Sequence, residues 1–315
     1  MKKLLIGIVS ILLLAIIVLP FITGDAEVDE LNDKTRSQLE GKFIQLSDGV
    51  VHYELTGQPD SQVVVLVHGN AAPYFSWDYN VPALLQAGFR VLRYDIYGHG
   101  FSDRPKMEKY NWDFYDRQLV ELIDSLKIKQ PVDVAGTSQG GAIAVYFTAH
   151  HPERVRKLIL CAPLFDEVTG ENMMKFIRLP VIGEYFIKVM GDKMNLKNPE
   201  NVFANTERLE EFREKFKKTM RFKGLKRARL ANLRADEFKD YAAINTKLYK
   251  KVGQQDRPVL LIWGSADKPI PKGSIQRLRK IIPSIEYHEI EGAGHVAHYE
   301  RSEVVNPILV EFLKQ

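Results

Sequence analysis

The sequence predicts an α/β protein: a mostly parallel, eight-stranded sheet with helices on both faces, a helical cap inserted into it, and one N-terminal transmembrane helix. Three observations carry this prediction. Apolar runs of strand length recur along the chain, the first uninterrupted one being Val63 to Val67. Helical segments separate most of these runs from the third onward, the alternation that parallel strands need for their crossovers. The 315 residues are 45% hydrophobic and 27% charged, the balance of a globular protein with a large core. Wholesale disorder is excluded by the same numbers.

The N-terminus stands apart. Lys2 and Lys3 precede an uncharged, mainly apolar run from Leu4 to Thr23. Twenty helical residues span roughly 30 Å, the thickness of a bilayer core. The run ends without a small-residue cleavage pattern, so residues 1–24 read as an uncleaved signal anchor, with a cleaved signal and secretion as the alternative. Lysines before the run, and Asp25, Glu27, Asp29 and Glu30 after it, place the globular part outside the cytoplasm. Residues 25–41 form a polar, acidic linker.

The strands follow in order. Phe43–Leu46 and Val50–Leu55 flank Asp48-Gly49, a hairpin signal. Val63–Val67 is apolar throughout, as a strand buried on both faces must be. Val91–Tyr94, Val132–Ala135, Leu158–Cys161, Val259–Trp263 and Glu286–Ile290 complete the set. Between 165 and 250 no strand pattern appears, and this stretch reads as a helical cap. The core is then 42–164 together with 251–315. The single cysteine, Cys161, excludes an intrachain disulfide, and its apolar neighbours read as a buried strand end rather than a reactive thiol.

Five residues carry the predicted chemistry. Gly136-Thr137-Ser138-Gln139-Gly140 is a G-x-S-x-G between an apolar strand and a helical run. That context places Ser138 on a sharp turn at a helix N-terminus, where a nucleophile is presented to substrate. A serine hydroxyl needs a base to take its proton. His295, in Glu291-Gly292-Ala293-Gly294-His295 after the last strand, is the candidate, and His298 competes with it. The base needs an acid to fix its tautomer. Asp267, just past the seventh strand, gives the order Ser…Asp…His, with Asp166 as the rival. Two backbone N–H groups must face the developing oxyanion. Gln139 supplies one, and Asn70 in His68-Gly69-Asn70-Ala71-Ala72 the other, with Ala71 as its alternative.

These motifs together resemble the α/β-hydrolase superfamily over residues 42–315. The resemblance rests on His68-Gly69, on Tyr94 to Asp103 (YDIYGHGFSD), on the Ser138 elbow, on Gly264 to Pro271 (GSADKPIP), and on Gly294-His295. It implies a Ser138–His295–Asp267 triad beneath a cap at about 165–250, with structural roles for His99 and Asp103. Within the superfamily the chain is similar to small carboxylesterases, monoacylglycerol lipases and carbon–carbon bond hydrolases. Ester hydrolysis through an acyl-enzyme is the first expectation, with a lipid-like acyl ester as substrate. Acyl transfer by a triad requires no metal or cofactor. Carbon–carbon hydrolysis or a peroxidase-type reaction on the same triad is the alternative, and a non-catalytic binding protein is a third class.

The charge is mild overall, at +4, but concentrated. Arg213 to Arg229 (REKFKKTMRFKGLKRAR) holds nine basic residues and one acidic one, Glu214. Phe212, Phe216 and Met220 recur every four residues within this basic stretch, while Phe222 and Leu225 fall off that line. Two readings stay open: a stripe folded onto the domain with a solvated charged face, or contact with anionic lipid headgroups. No nucleic-acid recognition fold accompanies the charge.

Overall fold

The computed structural model describes residues 18–315 apart from 71, 167 and 239. Eight strands form one sheet: β1 (Lys42–Leu46), β2 (Gly49–Thr56), β3 (Val63–Val67), β4 (Arg90–Tyr94), β5 (Val132–Thr137), β6 (Val155–Cys161), β7 (Val259–Gly264) and β8 (Glu286–Ile290). Their order is β1-β2-β4-β3-β5-β6-β7-β8. β1 pairs antiparallel with β2, and β2 with β4; every other pairing is parallel. Each predicted strand is present. The hairpin turn lies one residue earlier than predicted: Leu46 pairs with Gly49, so Ser47 and Asp48 make the turn. Gly49 opens β2 at φ +150°, where an added Cβ would lie 2.9 Å from Asp103.

The helices are α1 (Asp33–Arg36), α2 (Val81–Gln86), α3 (Trp112–Ser125), α4 (Gln139–His150), α5 (Glu171–Ile177), α6 (Ile182–Val202), α7 (Leu209–Met220), α8 (Leu225–Arg234), α9 (Tyr241–Gly253), α10 (Lys272–Ile281), α11 (Ala297–Glu300) and α12 (Ser302–Lys314). β3 shows why both sheet faces need cover. Val63, Val65 and Val67 join one apolar cluster with Trp112, Ile143 and Tyr249, whereas Val64 and Leu66 join another with Trp77, Leu309 and Phe312. The period of two along a strand divides one apolar run between two helical layers.

The stretch between β6 and β7 is helical, as predicted. Its last helix, α9, packs on α4 and α10 and so covers the sheet. Its Tyr249 and Asn245 meet Phe165 and the Phe165 carbonyl at the end of β6. The part lying over the strand ends is therefore α5 to α8.

The basic run folds inward. Phe212, Phe216 and Met220 are buried, with Phe75, Phe203 and Tyr299, in a cluster between cap and core. Phe222 and Leu225 are buried too: α7 stops at Met220, and Gly224, at φ +98°, starts α8 in a new direction. The charges find local partners. Lys215 holds Asp78 and Glu211, and Arg213 holds Glu200 and Glu210.

The acidic linker supplies partners for three more, Arg221, Lys223 and Lys226. Asp29 pairs with Arg221 at 2.8 Å and Glu30 with Lys223 at 2.8 Å. Asp25 holds Lys188 and Lys226. Both Glu27 carboxylate oxygens accept backbone N–H groups at 2.6 Å, from Gly224 and Lys226, and so cap the N-terminus of α8. Asp29 also exchanges backbone hydrogen bonds with Arg221 and Lys223. Residues 25–30 are thus a strap across the cap.

The predicted membrane helix falls mainly on residues 1–17, outside the described residues. Among those described, no helix is long and apolar enough to cross a membrane.

Candidate active site

Ser138 sits between β5 and α4 at φ 52°, ψ −121°, a conformation that L-residues adopt only under constraint. The surrounding glycines permit it. A Cβ at Gly140 would lie 2.3 Å from the Val67 carbonyl oxygen, and one at Gly136 would lie 2.3 Å from that of Gly140. The strand end and the helix start can therefore approach only as glycines. The Ser138 backbone is pinned to the neighbouring strand end: its N–H donates to Cys161, and its carbonyl accepts from Leu164.

His295 lies on the loop after β8. Its Nδ1 is 2.8 Å from Asp267 Oδ2, and both side chains are almost fully buried. Asp267 Oδ1 accepts the Ile270 N–H at 3.0 Å, which fixes the carboxylate's orientation. The rival acid is engaged elsewhere: Asp166 binds Ser274 and Arg277. The rival base is part of the core. His298 packs against Trp77 with tilted rings, neither ring nitrogen has a partner among the described residues, and burial pushes its pKa down to about 3. A neutral, unpaired imidazole there does not reach the cavity.

The His295 loop is held to the cap. The His295 N–H donates to the Val202 carbonyl at 2.8 Å. Buried Glu300 accepts from Gly294 on one oxygen and from Ala204 and Asn205 on the other. Its burial raises the carboxyl pKa, partly offset by these three N–H groups.

Ser138, Gln139, Asn70 and His295 line one cavity of about 310 Å³. No hydrogen bond joins Ser138 to His295 among the described residues; such contacts often tighten only around substrate. The N–H groups of Gln139 and Asn70 have no acceptor among the described residues. Ala71, the alternative donor, is outside the described residues. Asn70 is held by its side chain, which meets His99 Nε2 at 3.1 Å. Burial keeps His99 neutral, its pKa well below the usual value. His68 bridges the Gly69 carbonyl and the Ile96 N–H. Asp103 binds Arg36 and the Val50 N–H. These three residues tie loops of the core together.

The remaining wall is mostly apolar and comes largely from the cap: Met173, Met174, Phe186, Ile187, Met194 and Leu233. Polar cap residues also reach the site, Asn195, Asn198 and Lys226 among them. Asn232 donates to the Gln139 side chain at 2.8 Å, and Arg229 lines the cavity itself. The signal was present: Leu225, Ala228, Arg229 and Asn232 follow helical spacing and share one face. Cys161 is buried, and its thiol is pushed up to about 12, so it stays protonated. Among the described residues no cluster of His, Cys, Asp or Glu is arranged to hold a metal ion.

Comparison with known proteins follows this geometry. A family model described as alpha/beta hydrolase fold matches residues 62–302. A 2-hydroxy-6-oxononadienedioate/2-hydroxy-6-oxononatrienedioate hydrolase of Paraburkholderia xenovorans is 30% identical over 291 residues, covering 86% of this chain and 94% of that one. Among solved structures, an esterase from Exiguobacterium antarcticum superposes with a TM-score of 0.71 at 23% identity, over 88% of this chain and 100% of its own. A 2-hydroxy-6-oxo-6-phenylhexa-2,4-dienoate hydrolase of Rhodococcus sp. strain RHA1 gives 0.70 at 20% identity, over 88% and 99%. At these identities the two structures speak for the fold alone.

Proposed function

The chain belongs to the alpha/beta hydrolase fold family, and we propose that it is a serine-nucleophile hydrolase that cleaves a carbon–carbon bond beside a carbonyl. One observation carries the catalytic part: the Asp267–His295 hydrogen bond opens onto the cavity that holds Ser138 and two free N–H donors. Ser138 Oγ attacks the carbonyl and passes its proton to His295. The oxyanion forms at the N–H groups of Gln139 and Asn70. Collapse of the tetrahedral adduct expels a carbanion equivalent, which takes the proton from His295. Water then hydrolyses the acyl-enzyme with His295 as base. An ester follows the same steps with an alkoxide as leaving group.

The relative named for dienedioate hydrolysis supports the carbon–carbon reading over a lipase. A lipid-directed reading also loses the support of the cap, because the apolar stripe is buried and most of the basic run is paired. Ester hydrolysis remains the second reading, favoured by the same machinery. Membrane anchoring through residues 1–24, with the domain outside the cytoplasm, stays a separate proposal that rests on the apolar run.

The test is a panel of a vinylogous 2-hydroxy-6-ketodienoate and 4-nitrophenyl esters, run with wild type and Ser138→Ala. Faster turnover of the dienoate, abolished in the variant, is expected. Ester turnover without dienoate cleavage would replace the first reading by the second. Equal rates in both proteins would end both.

A further inference from the structure

One cap helix holds both residues assigned to the oxyanion. Arg229 and Asn232 lie three residues apart on α8 and so share a face. Asn232 Nδ2 donates to Gln139 Oε1 at 2.8 Å, and Arg229 Nη2 donates to the Asn70 carbonyl at 3.0 Å. This helix is seated firmly on the core. Ala228 is fully buried, and a Cβ added at Gly98 would lie 2.8 Å from its own Cβ. The Ala231 carbonyl accepts from the Tyr110 N–H at 3.1 Å, and Glu27 caps the start of the helix.

The Ser138–Gln139 peptide shows what the Asn232 contact adds. Its carbonyl is pinned, accepting from Leu164 at 2.8 Å and from Gly141 at 3.0 Å. In a trans peptide the N–H points the opposite way, so these bonds direct the Gln139 N–H away from their donors. The other end of the peptide is the Gln139 Cα, and its side chain is tied to the cap by Asn232. Asn232 is a costly choice for packing alone. It is fully buried, and its Oδ1 has no hydrogen-bond partner among the described residues. A buried amide with half its capacity unmet destabilises a fold, whereas an apolar side chain there would not.

We propose that Asn232 is a positioning residue for the oxyanion hole: through the Gln139 side chain it holds the peptide whose N–H meets the developing charge. The cap then serves the transition state as well as walling the cavity. The inference rests on the reading of Ser138 as nucleophile with the Gln139 N–H as an oxyanion donor.

The test separates kcat from KM. Asn232→Leu and Gln139→Met each remove one partner at nearly constant volume, and Gln139→Met leaves the backbone N–H in place. The double variant removes both partners, so neither amide is left buried without the other. All three are assayed on 4-nitrophenyl butyrate and on the dienoate. In each, kcat should fall about 10-fold, short of the roughly 10²- to 10³-fold lost with a whole donor. KM should stay within about twofold, because the oxyanion exists only in the transition state. The double variant should be no slower than the slower single one, since both changes break the same bond. The rate at which a fluorophosphonate labels Ser138 should fall with kcat, and it decides alone if neither substrate is turned over. Should the single variants fail to fold, the double variant decides. Wild-type kcat and labelling in the folded double variant, a loss carried by KM alone, or a double-variant loss equal to the product of the single ones would overturn the proposal. Turnover that survives Ser138→Ala would instead strike the nucleophile reading, which keeps the two failures apart.

Discussion

Asp267→Asn isolates the function of one proton. In the structure Asp267 accepts twice, from His295 Nδ1 at 2.8 Å and from the Ile270 N–H at 3.0 Å. Asparagine has one oxygen and one NH2 for these two places. If its oxygen keeps the Ile270 bond, the NH2 faces Nδ1, and His295 must accept there. The proton then moves to Nε2, the nitrogen that should receive the Ser138 proton. If the amide turns round, its NH2 opposes the Ile270 N–H, leaving buried donors unpaired at a cost of about 1–3 kcal/mol. The wrong tautomer is therefore favoured by about that much. Loss of the negative charge that stabilises the imidazolium adds to it. Together these should approach the roughly 10⁴-fold loss seen when a triad aspartate becomes asparagine in a serine protease, about 5.5 kcal/mol. The assay is kcat on the best substrate of the panel, with melting temperature as a check on folding. Activity within tenfold of wild type in Asp267→Asn, with activity lost in Asp166→Asn, would refute the argument.

Other predictions test the setting of the site. Stability should fall in mild acid, because burial lowers the pKa of His68, His99 and His298. The unfolded chain binds protons below 6.5 that folded His298 refuses until about pH 3, so stability drops as pH falls through that window. Between pH 7.0 and pH 5.5 His298 alone should remove roughly 1 kcal/mol. Urea melts at pH 7.0 and 5.5 should show His298→Phe losing that much less than wild type; identical losses would contradict it. Glu27→Ala removes two N–H acceptors at the start of α8 and should cost about 1–2 kcal/mol. Hydrogen exchange in α8 should quicken in this variant, and unchanged exchange would show that the strap does not hold the cap.

The sheet was legible because strand burial imposes a local signature: Val63–Val67 and Val259–Trp263 can only be covered on both faces. The Ser138 elbow was legible for a similar reason, since its glycines lie within two residues of it. Both Asp166 and Asp267 satisfy the order Ser…Asp…His, one after the sixth strand and one after the seventh, and the structure adds that Arg277 and Ser274 occupy Asp166. What stayed hidden was long-range. Asp29 and Arg221 are 192 residues apart, so nothing local showed that the acidic residues after the apolar run are also partners of the cap. Arg229 was lost in a basic run whose net charge said nothing of which member faced inward. The Asp48-Gly49 turn shifted by one because Gly49 serves the contact with Asp103 as well as the hairpin.

The central claim is that Ser138 is the nucleophile, and one measurement addresses it directly. The protein is treated with a fluorophosphonate, digested, and mapped by mass spectrometry. A single phosphonyl adduct on the peptide containing Ser138, absent in Ser138→Ala and strongly slowed in His295→Ala, is the predicted result. No adduct, or an adduct on another serine at the same rate, would contradict the account.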